Sequence, residues 1–117
     1  MPLLKIVSSK SPTDAESRQA LLRRLSSTLA RELQKPEAYV MTCLVPDASL
    51  TFAGTDAPAC YVELKSIGSF SEQETARLSG LLCRLLSEEL GVASDRIYVE
   101  FANPAGYLWG FDGETFA

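Results

Sequence analysis

Two stripes of leucine, each with a spacing of four residues, constrain the fold of this 117-residue chain more than any other feature. Leucines four residues apart lie on one face of an α-helix, so each stripe predicts an amphipathic helix. A Tyr-Val pair, at 39–40 and 98–99, follows each stripe and begins a segment rich in β-formers. The chain therefore contains an internal repeat of strand, long helix and strand. The two stripes are Leu21, Leu25, Leu29 and Leu33, and Leu78, Leu82, Leu86 and Leu90.

The residues that flank the stripes predict where the helices begin and end. Ser11 is the expected N-cap of the first helix, with Pro12 at the first helical position, and the helix continues to about residue 34. Ser71 and Glu74 have the spacing of a capping box at the start of the second helix. Gly91 supplies a left-handed cap after Leu90.

Four short segments rich in apolar and β-branched residues predict the strands. They are 3–7, 39–45, 60–67 and 96–102, with a further short strand at 50–54 and weak strand signals at 107–109 and 115–116. Two β-α-β units side by side give a four-stranded sheet with both helices on one face, in one domain covering residues 1–117. The other face is expected to carry apolar positions that one chain cannot cover, which predicts a homo-oligomer.

The composition excludes several classes of function. The net charge is −4 and the chain has no Lys/Arg cluster, which argues against nucleic acid or an anionic membrane as the partner. There is no histidine, and the three cysteines lack metal-ligand spacing, so we expect no metal site and no histidine acid/base chemistry. No stretch has the pattern of a signal peptide or a membrane span, so a cytoplasmic location is expected, with non-classical secretion left open.

Met1-Pro2 is the one place where the sequence suggests unusual chemistry. If Met1 is removed, Pro2 carries a free secondary amine on a rigid ring, and a free α-amino group has a pKa of about 8. Burial and nearby positive charge lower such a pKa, which would suit a base that removes a proton next to a carbonyl. The alternative is that Pro2 only begins an edge strand, where its missing N–H has no effect.

Eight short motifs, in matching order along the whole chain, resemble the macrophage migration inhibitory factor family of the tautomerase superfamily. They are Met1-Pro2, Lys35-Pro36-x-x-Tyr39, Val45-Pro46-Asp47, Phe52-x-Gly54, Ser66-Ile67-Gly68, Leu81-Leu82-Cys83, Asp95-Arg96-Ile97-Tyr98 and Thr115-Phe116-Ala117. The resemblance implies an α+β fold in which two β-α-β repeats form a mixed four-stranded sheet under two antiparallel helices. It also implies a homotrimer with active sites between subunits, no cofactor, and an N-terminal proline as the catalytic base. Family members tautomerise phenylpyruvate and its 4-hydroxy form and isomerise dopachrome-type compounds, and animal members also act as cytokines.

The resemblance assigns roles to particular residues. Pro2 matches the catalytic base, and Lys35 matches the lysine that meets the substrate carboxylate, although a lysine at a helix end is more simply a solvated charge. Ile67 matches a pocket residue whose backbone contacts substrate, with plain core packing as the alternative. Tyr98 matches a tyrosine supplied by the adjacent subunit, with a strand aromatic as the alternative. The apolar wall near the C-terminus corresponds to Trp109, Phe111 and Phe116, which also suit ordinary packing.

Two departures from the animal members bear on function. Glu100 stands where they have asparagine, two residues after Tyr98, and so should share its sheet face and approach the pocket. A carboxylate there would raise the pKa of Pro2 and repel an anionic substrate. Ala59 and Val62 replace the two cysteines of a C-x-x-C motif, so thiol–disulfide oxidoreductase activity is not expected.

Three hypotheses follow. The first is a keto–enol tautomerase acting on phenylpyruvate-type α-keto acids and on dopachrome-type compounds, an isomerase that needs no cofactor. The second is a cytokine-like signalling or interaction protein with a vestigial pocket, whose protein receptor leaves no readable mark in the sequence. The third keeps the proline base but changes the reaction to decarboxylation, hydration or dehalogenation.

Overall fold

A computed structural model describes all 117 residues. Two strand–helix–strand repeats occupy positions 3–102, and a small hairpin follows. The elements are β1 (Leu3–Ser8), α1 (Ala15–Leu33), β2 (Met41–Val45), β3 (Cys60–Lys65), α2 (Glu72–Leu90), β4 (Ile97–Ala102), β5 (Gly110–Phe111) and β6 (Glu114–Thr115). The predicted repeat is therefore confirmed.

The main sheet is mixed, with the strand order β2-β1-β3-β4. Within each repeat the two strands are parallel, and the repeats meet where β1 and β3 pair antiparallel. The helices consequently run antiparallel to each other. Two interhelical ion pairs reflect this, since Arg24 meets Glu89 while Glu32, further along α1, meets Arg77, earlier in α2.

The core lies between the helices and one face of the sheet. On β1 the side chains of Leu4 and Ile6 are fully buried, and on β3 those of Val62 and Leu64 are. These alternate positions face both leucine stripes, as the period of two in a strand requires. The core also takes in Leu25, Leu29, Leu78, Leu82, Leu86 and Leu90. Neither helix is long and apolar enough to cross a bilayer.

The ends of α2 are as predicted. The Ser71 hydroxyl accepts a hydrogen bond from the Glu74 amide, and the Glu74 carboxylate accepts one from the Ser71 amide. Gly91 follows with φ of 69°, the left-handed conformation that glycine adopts without strain.

The start of α1 differs from the prediction. Asp14, rather than Ser11, is the N-cap, because its carboxylate accepts a hydrogen bond from the Ser17 amide at 2.9 Å. Arg18 in the first turn donates to the carbonyl of Pro12 at 2.8 Å, which holds the preceding residues outside the helix. This hydrogen bonding keeps Asp14 ionised, and its pKa is lowered.

Two minor strand predictions are wrong. Segment 50–54 forms a turn, in which Phe52 and Thr55 make a single antiparallel bridge. The weak signal at 107–109 corresponds to a 3₁₀ turn at Gly106–Leu108, and the hairpin follows it. Phe52 packs on Tyr98 rather than in a ladder, and Tyr107 and Leu108 are largely exposed. A strand-like composition alone does not distinguish these outcomes.

The sheet face opposite the helices, called the open face below, carries apolar side chains as expected, but it also carries charged ones. Apolar side chains such as Leu3 and Val7 do lie on it, but its middle row crosses the sheet as Cys43, Lys5, Glu63 and Glu100. The charged residues alternate with apolar ones along each strand and therefore all point to this face.

The Tyr61 hydroxyl links two carboxylates on the open face. It donates to the Glu100 carboxylate at 2.8 Å and lies 3.1 Å from that of Glu63. The hydrogen bond to Glu100 first, and burial and Glu63 after it, raise the pKa of Tyr61 to about 12. The neutral phenol is therefore a persistent donor between two carboxylates.

Candidate active site

A cavity of about 530 Å³ lies at the beginning of β1, between the start of the chain and its C-terminal tail. Ten of its fourteen lining residues are hydrophobic, which is typical of a site for a small organic molecule. Four parts of the chain contribute lining residues: its start, the segment before β2, the end of β3 and the C-terminal tail. The lining consists of Met1, Pro2, Leu3, Ala38, Tyr39, Val40, Met41, Lys65, Pro104, Leu108, Trp109, Gly110, Phe111 and Phe116.

Pro2 is fixed in place at this cavity. Its side chain is fully buried, and its carbonyl accepts a hydrogen bond from the Met41 amide at 3.0 Å. That bond extends the β1–β2 ladder by one step beyond the Leu3–Met41 pair. The backbone hydrogen bond to β2 and the close packing around the buried ring together fix the orientation of Pro2 toward the cavity.

The N-terminal amine sits in an environment that favours its neutral form. The Met1 amine donates to the Tyr39 carbonyl at 2.6 Å. Burial, and then the positive charge of Lys35, lower the pKa of this amine below its usual value of 8.0. In this structure Met1 is present, so the Pro2 nitrogen belongs to an amide. Removal of Met1 would place the free amine on Pro2, one residue further along the chain.

Aromatic rings form one wall of the cavity. Tyr39 packs edge-on against Phe111 and Phe116, with ring centroids 5.5 and 6.0 Å apart. Phe111 and Phe116 stack with their centroids 5.6 Å apart. Trp109 also lines the cavity, so the structure brings all three aromatic residues of the predicted C-terminal wall to Pro2.

Gly106 allows the tail to fold onto this wall. The Phe116 amide donates to the carbonyls of Gly106 and Trp109, each at 3.2 Å. A Cβ at position 106 would overlap the Phe116 carbonyl oxygen. Glycine is therefore required here by close backbone approach rather than by an unusual φ.

Lys35 and Ile67 lie together beside the cavity. The Lys35 ammonium donates to the Ile67 carbonyl at 3.3 Å, and both residues line a smaller groove of about 180 Å³. Lys35 nevertheless acts on the site electrostatically, as its influence on the pKa of the Met1 amine shows. The single hydrogen bond leaves two of its three N–H groups free.

Tyr98 and Glu100 do not line the cavity of their own chain. Both point from β4 to the open face, where Tyr98 is 66% exposed and packs on Phe52 with ring centroids 4.9 Å apart. Glu100 accepts the hydrogen bond from Tyr61. The shared face of Tyr98 and Glu100 agrees with their spacing along the strand.

Lys65 lines the cavity but was not among the predicted site residues. It lies at the end of β3 on the open face, opposite Leu3 of β1. The alternation along 60–67 shows that its side chain points away from the core, but only the β1–β3 register places it beside Pro2. A strand lysine with no motif around it gives no other signal.

A two-repeat β-α-β sheet with an apolar cavity at Pro2 is the architecture of the tautomerase superfamily. The chain belongs to the macrophage migration inhibitory factor family, since the family model named Macrophage migration inhibitory factor (MIF) matches residues 1–117.

Individual relatives agree with this assignment. The macrophage migration inhibitory factor of Mus musculus is 35% identical over 99 residues, which span 85% of this chain and 86% of the relative. The Trichuris trichiura homologue is 35% identical over 95 residues, 81% of this chain and 83% of the relative. The crystal structure of the Prochlorococcus marinus homologue matches with a TM-score of 0.91 at 43% identity and covers 98% of this chain and 99% of that one. Membership in the family supports a tautomerase or cytokine-like function in general terms.

Proposed function

We propose that the chain is a keto–enol tautomerase of phenylpyruvate-type α-keto acids, with Pro2 as the general base after removal of Met1. The observation that carries the proposal is the position of Pro2, fully buried beside an apolar cavity at which the pKa of the N-terminal amine is lowered. A lowered pKa leaves a larger share of an amine unprotonated and able to accept a proton, and proton transfer is most effective when the pKa lies near the working pH.

The proposed reaction moves one proton and changes no oxidation state. The Pro2 nitrogen removes a proton from the carbon next to the ketone, and the electron pair moves to the ketone oxygen to give the enolate. Pro2 then returns a proton to that oxygen, and the enol leaves. In the opposite direction the same nitrogen delivers the proton to carbon. The apolar walls hold the aryl group and exclude water from the base.

Lys35 is the proposed partner of the substrate carboxylate. Its remaining N–H groups can donate to an anion, and its charge also lowers the pKa of the adjacent amine. In this scheme Lys35 has two effects, since it holds the substrate and keeps the base neutral. The Ile67 carbonyl orients the lysine, and the Ile67 backbone borders the substrate.

We further propose a homotrimer in which Tyr98 completes the cavity of a neighbouring subunit. Tyr98, on the edge strand β4, is 66% exposed. Met41, on the opposite edge strand β2, is 65% exposed. A phenol on the far edge strand cannot serve the cavity of its own chain, but it can donate to a substrate oxygen in another.

Light scattering at micromolar concentration should give three times the chain mass of 12.7 kDa. A monomer mass would remove the inter-subunit part of the mechanism.

A phenylpyruvate tautomerisation assay tests the role of Pro2, provided that mass spectrometry establishes whether Met1 is present. Met1-free protein should be active, and Pro2→Gly should reduce activity by orders of magnitude while circular dichroism stays unchanged. Pro12→Gly, outside the cavity, is the matched control and should retain activity. Full activity in protein that still carries Met1 would refute Pro2 as the base.

The same assay separates the two other hypotheses. A cytokine-like protein with a vestigial pocket would be inactive even without Met1. A family member that uses the proline base for decarboxylation, hydration or dehalogenation would act on other compounds in a substrate panel and would still lose activity on Pro2→Gly.

A further inference from the structure

Lys65 is the only charged side chain among the fourteen residues that line the cavity. The other lining residues are apolar or aromatic or contribute backbone. In sites of this kind, a few polar groups in an apolar cavity fix the orientation and the choice of ligand. Lys65 is thus in the position of a selecting group, and the reaction proposed above does not use it.

Lys65 and Lys35 lie on opposite sides of the sheet, Lys65 in the cavity with Pro2 and Lys35 in the smaller groove. Lys65 points to the open face at the level of Leu3. Lys35 follows α1, on the helix side, and contacts the Ile67 carbonyl. The buried Pro2 ring lies directly before the start of β1. An anion bound by one lysine therefore leaves the other free for a second anion.

The existing partner of Lys65 holds it only weakly. Its ammonium lies 3.9 Å from the Glu63 carboxylate, and the lysine side chain is 43% exposed. Exposed ion pairs at such a distance contribute little to stability, so a ligand can compete for the lysine. No other contact of the ammonium is present to be broken.

We propose that Lys65 is a second anion-binding residue that gives the cavity a preference for aryl α-keto acids with a second carboxylate on the ring. The proposal rests on the tautomerase function proposed above. Lys35 would take the keto-acid carboxylate near Pro2, and Lys65 would take the ring carboxylate at the open-face side. The Glu63 carboxylate tunes this preference, because it competes with the ligand for Lys65.

The kinetic test compares 4-carboxyphenylpyruvate with phenylpyruvate in Met1-free protein. Lys65→Met keeps the apolar stem and removes the charge. The kcat/KM for 4-carboxyphenylpyruvate divided by that for phenylpyruvate should then fall about three- to tenfold, the size expected when a partly screened, charge-assisted hydrogen bond is lost. Lys65→Arg should keep the ratio within about twofold, which separates loss of charge from loss of fold. Glu63→Gln should raise the ratio.

Lys10→Met is the matched control, since Lys10 is exposed, lies outside the cavity, and changes the net charge equally. The ratio should not change in this variant. An unchanged ratio in Lys65→Met, or an equal fall in Lys10→Met, would overturn the proposal. In addition, the effect of Lys65→Met should shrink when the salt concentration rises, because screening weakens an exposed charge.

A binding measurement separates this proposal from the proposed reaction. Dissociation constants of 4-carboxyphenylacetate and phenylacetate can be obtained by NMR titration whether or not the protein turns over a substrate. If phenylpyruvate is not tautomerised but Lys65→Met still weakens the dianion selectively, the reaction is wrong and the anion site stands. If turnover is present and the two dissociation constants respond equally, the anion site is wrong.

Discussion

Gly106→Ala should disturb the cavity while leaving the core of the protein folded. The new Cβ would lie 3.0 Å from the Phe116 carbonyl carbon and overlap its oxygen. Carbon atoms in contact are about 3.5–4.0 Å apart, so the tail must move outward by roughly 0.5–1 Å or more. The aromatic wall made by Phe111, Phe116 and Trp109 moves with it.

The free-energy cost of this movement can be worked out from the contacts that the tail would lose. If the tail moves as a unit, the stacking of Phe111 on Phe116 survives, and their two edge-on contacts with Tyr39 are lost. Aromatic pairs are worth about 0.5–1.5 kcal/mol each, so the loss is about 1–3 kcal/mol. None of these rings belongs to the main core, so far-UV circular dichroism should be native-like and Tm only a few degrees lower.

Trp109, the only tryptophan, makes this change directly observable. Its fluorescence should shift to longer wavelength in Gly106→Ala, and KM for phenylpyruvate should rise more than kcat falls. Gly80→Ala is the control, because a Cβ there meets nothing and alanine favours a helix. Unchanged emission and KM in Gly106→Ala would refute the view that close packing of the tail builds the wall.

Three further predictions follow from single contacts. Lys35→Met should raise the pKa of the N-terminal amine, because a neighbouring cation disfavours the protonated form, but burial of the amine at Met1 should keep it below 8.0, which NMR titration can check. Glu100→Asn should lower the pKa of Tyr61 from about 12 by removing its strongest acceptor, seen in ultraviolet titration. If Glu100 also faces a neighbour's Pro2 base, as proposed for Tyr98, the same variant should raise kcat/KM for phenylpyruvate and move the rising limb of its pH profile to lower pH; an unchanged profile would limit Glu100 to the open face. Ser71→Ala should lower the free energy of unfolding by about 1 kcal/mol through loss of the N-cap, measured by urea denaturation.

The parts of the fold that the sequence predicts well are those with a single strong local signal. The capping box at Ser71 and Glu74 forms as predicted, so α2 begins where expected. The start of α1 offers several candidate caps within four residues, and Asp14 is selected by hydrogen bonds that sequence order does not rank. Segment 50–54 has strand-like composition, but its only bridge joins Phe52 to Thr55 within its own turn.

The candidate site is only partly visible in the sequence for a different reason. The roles of Pro2 and of the C-terminal aromatics come from resemblance to a family rather than from pattern. Lys65 illustrates what is missed, because its place at the cavity depends on which residue of β1 lies opposite it, and register is a property of the folded sheet. The proposed roles of Tyr98 and Glu100 are harder still to predict from the sequence, because they depend on contacts between chains.

The cavity is built largely from the two extremities of the chain, with Met1 and Pro2 on one side and residues 104–116 on the other. A purification tag or fusion partner therefore cannot be treated as neutral at either end. An N-terminal extension would keep the Pro2 nitrogen in an amide bond, and a C-terminal extension would follow Ala117, which is next to Phe116. Receptor-binding or enzymatic experiments on tagged protein would measure a molecule with an altered cavity, so an untagged preparation, or one cleaved to leave Pro2 first, is the appropriate reagent.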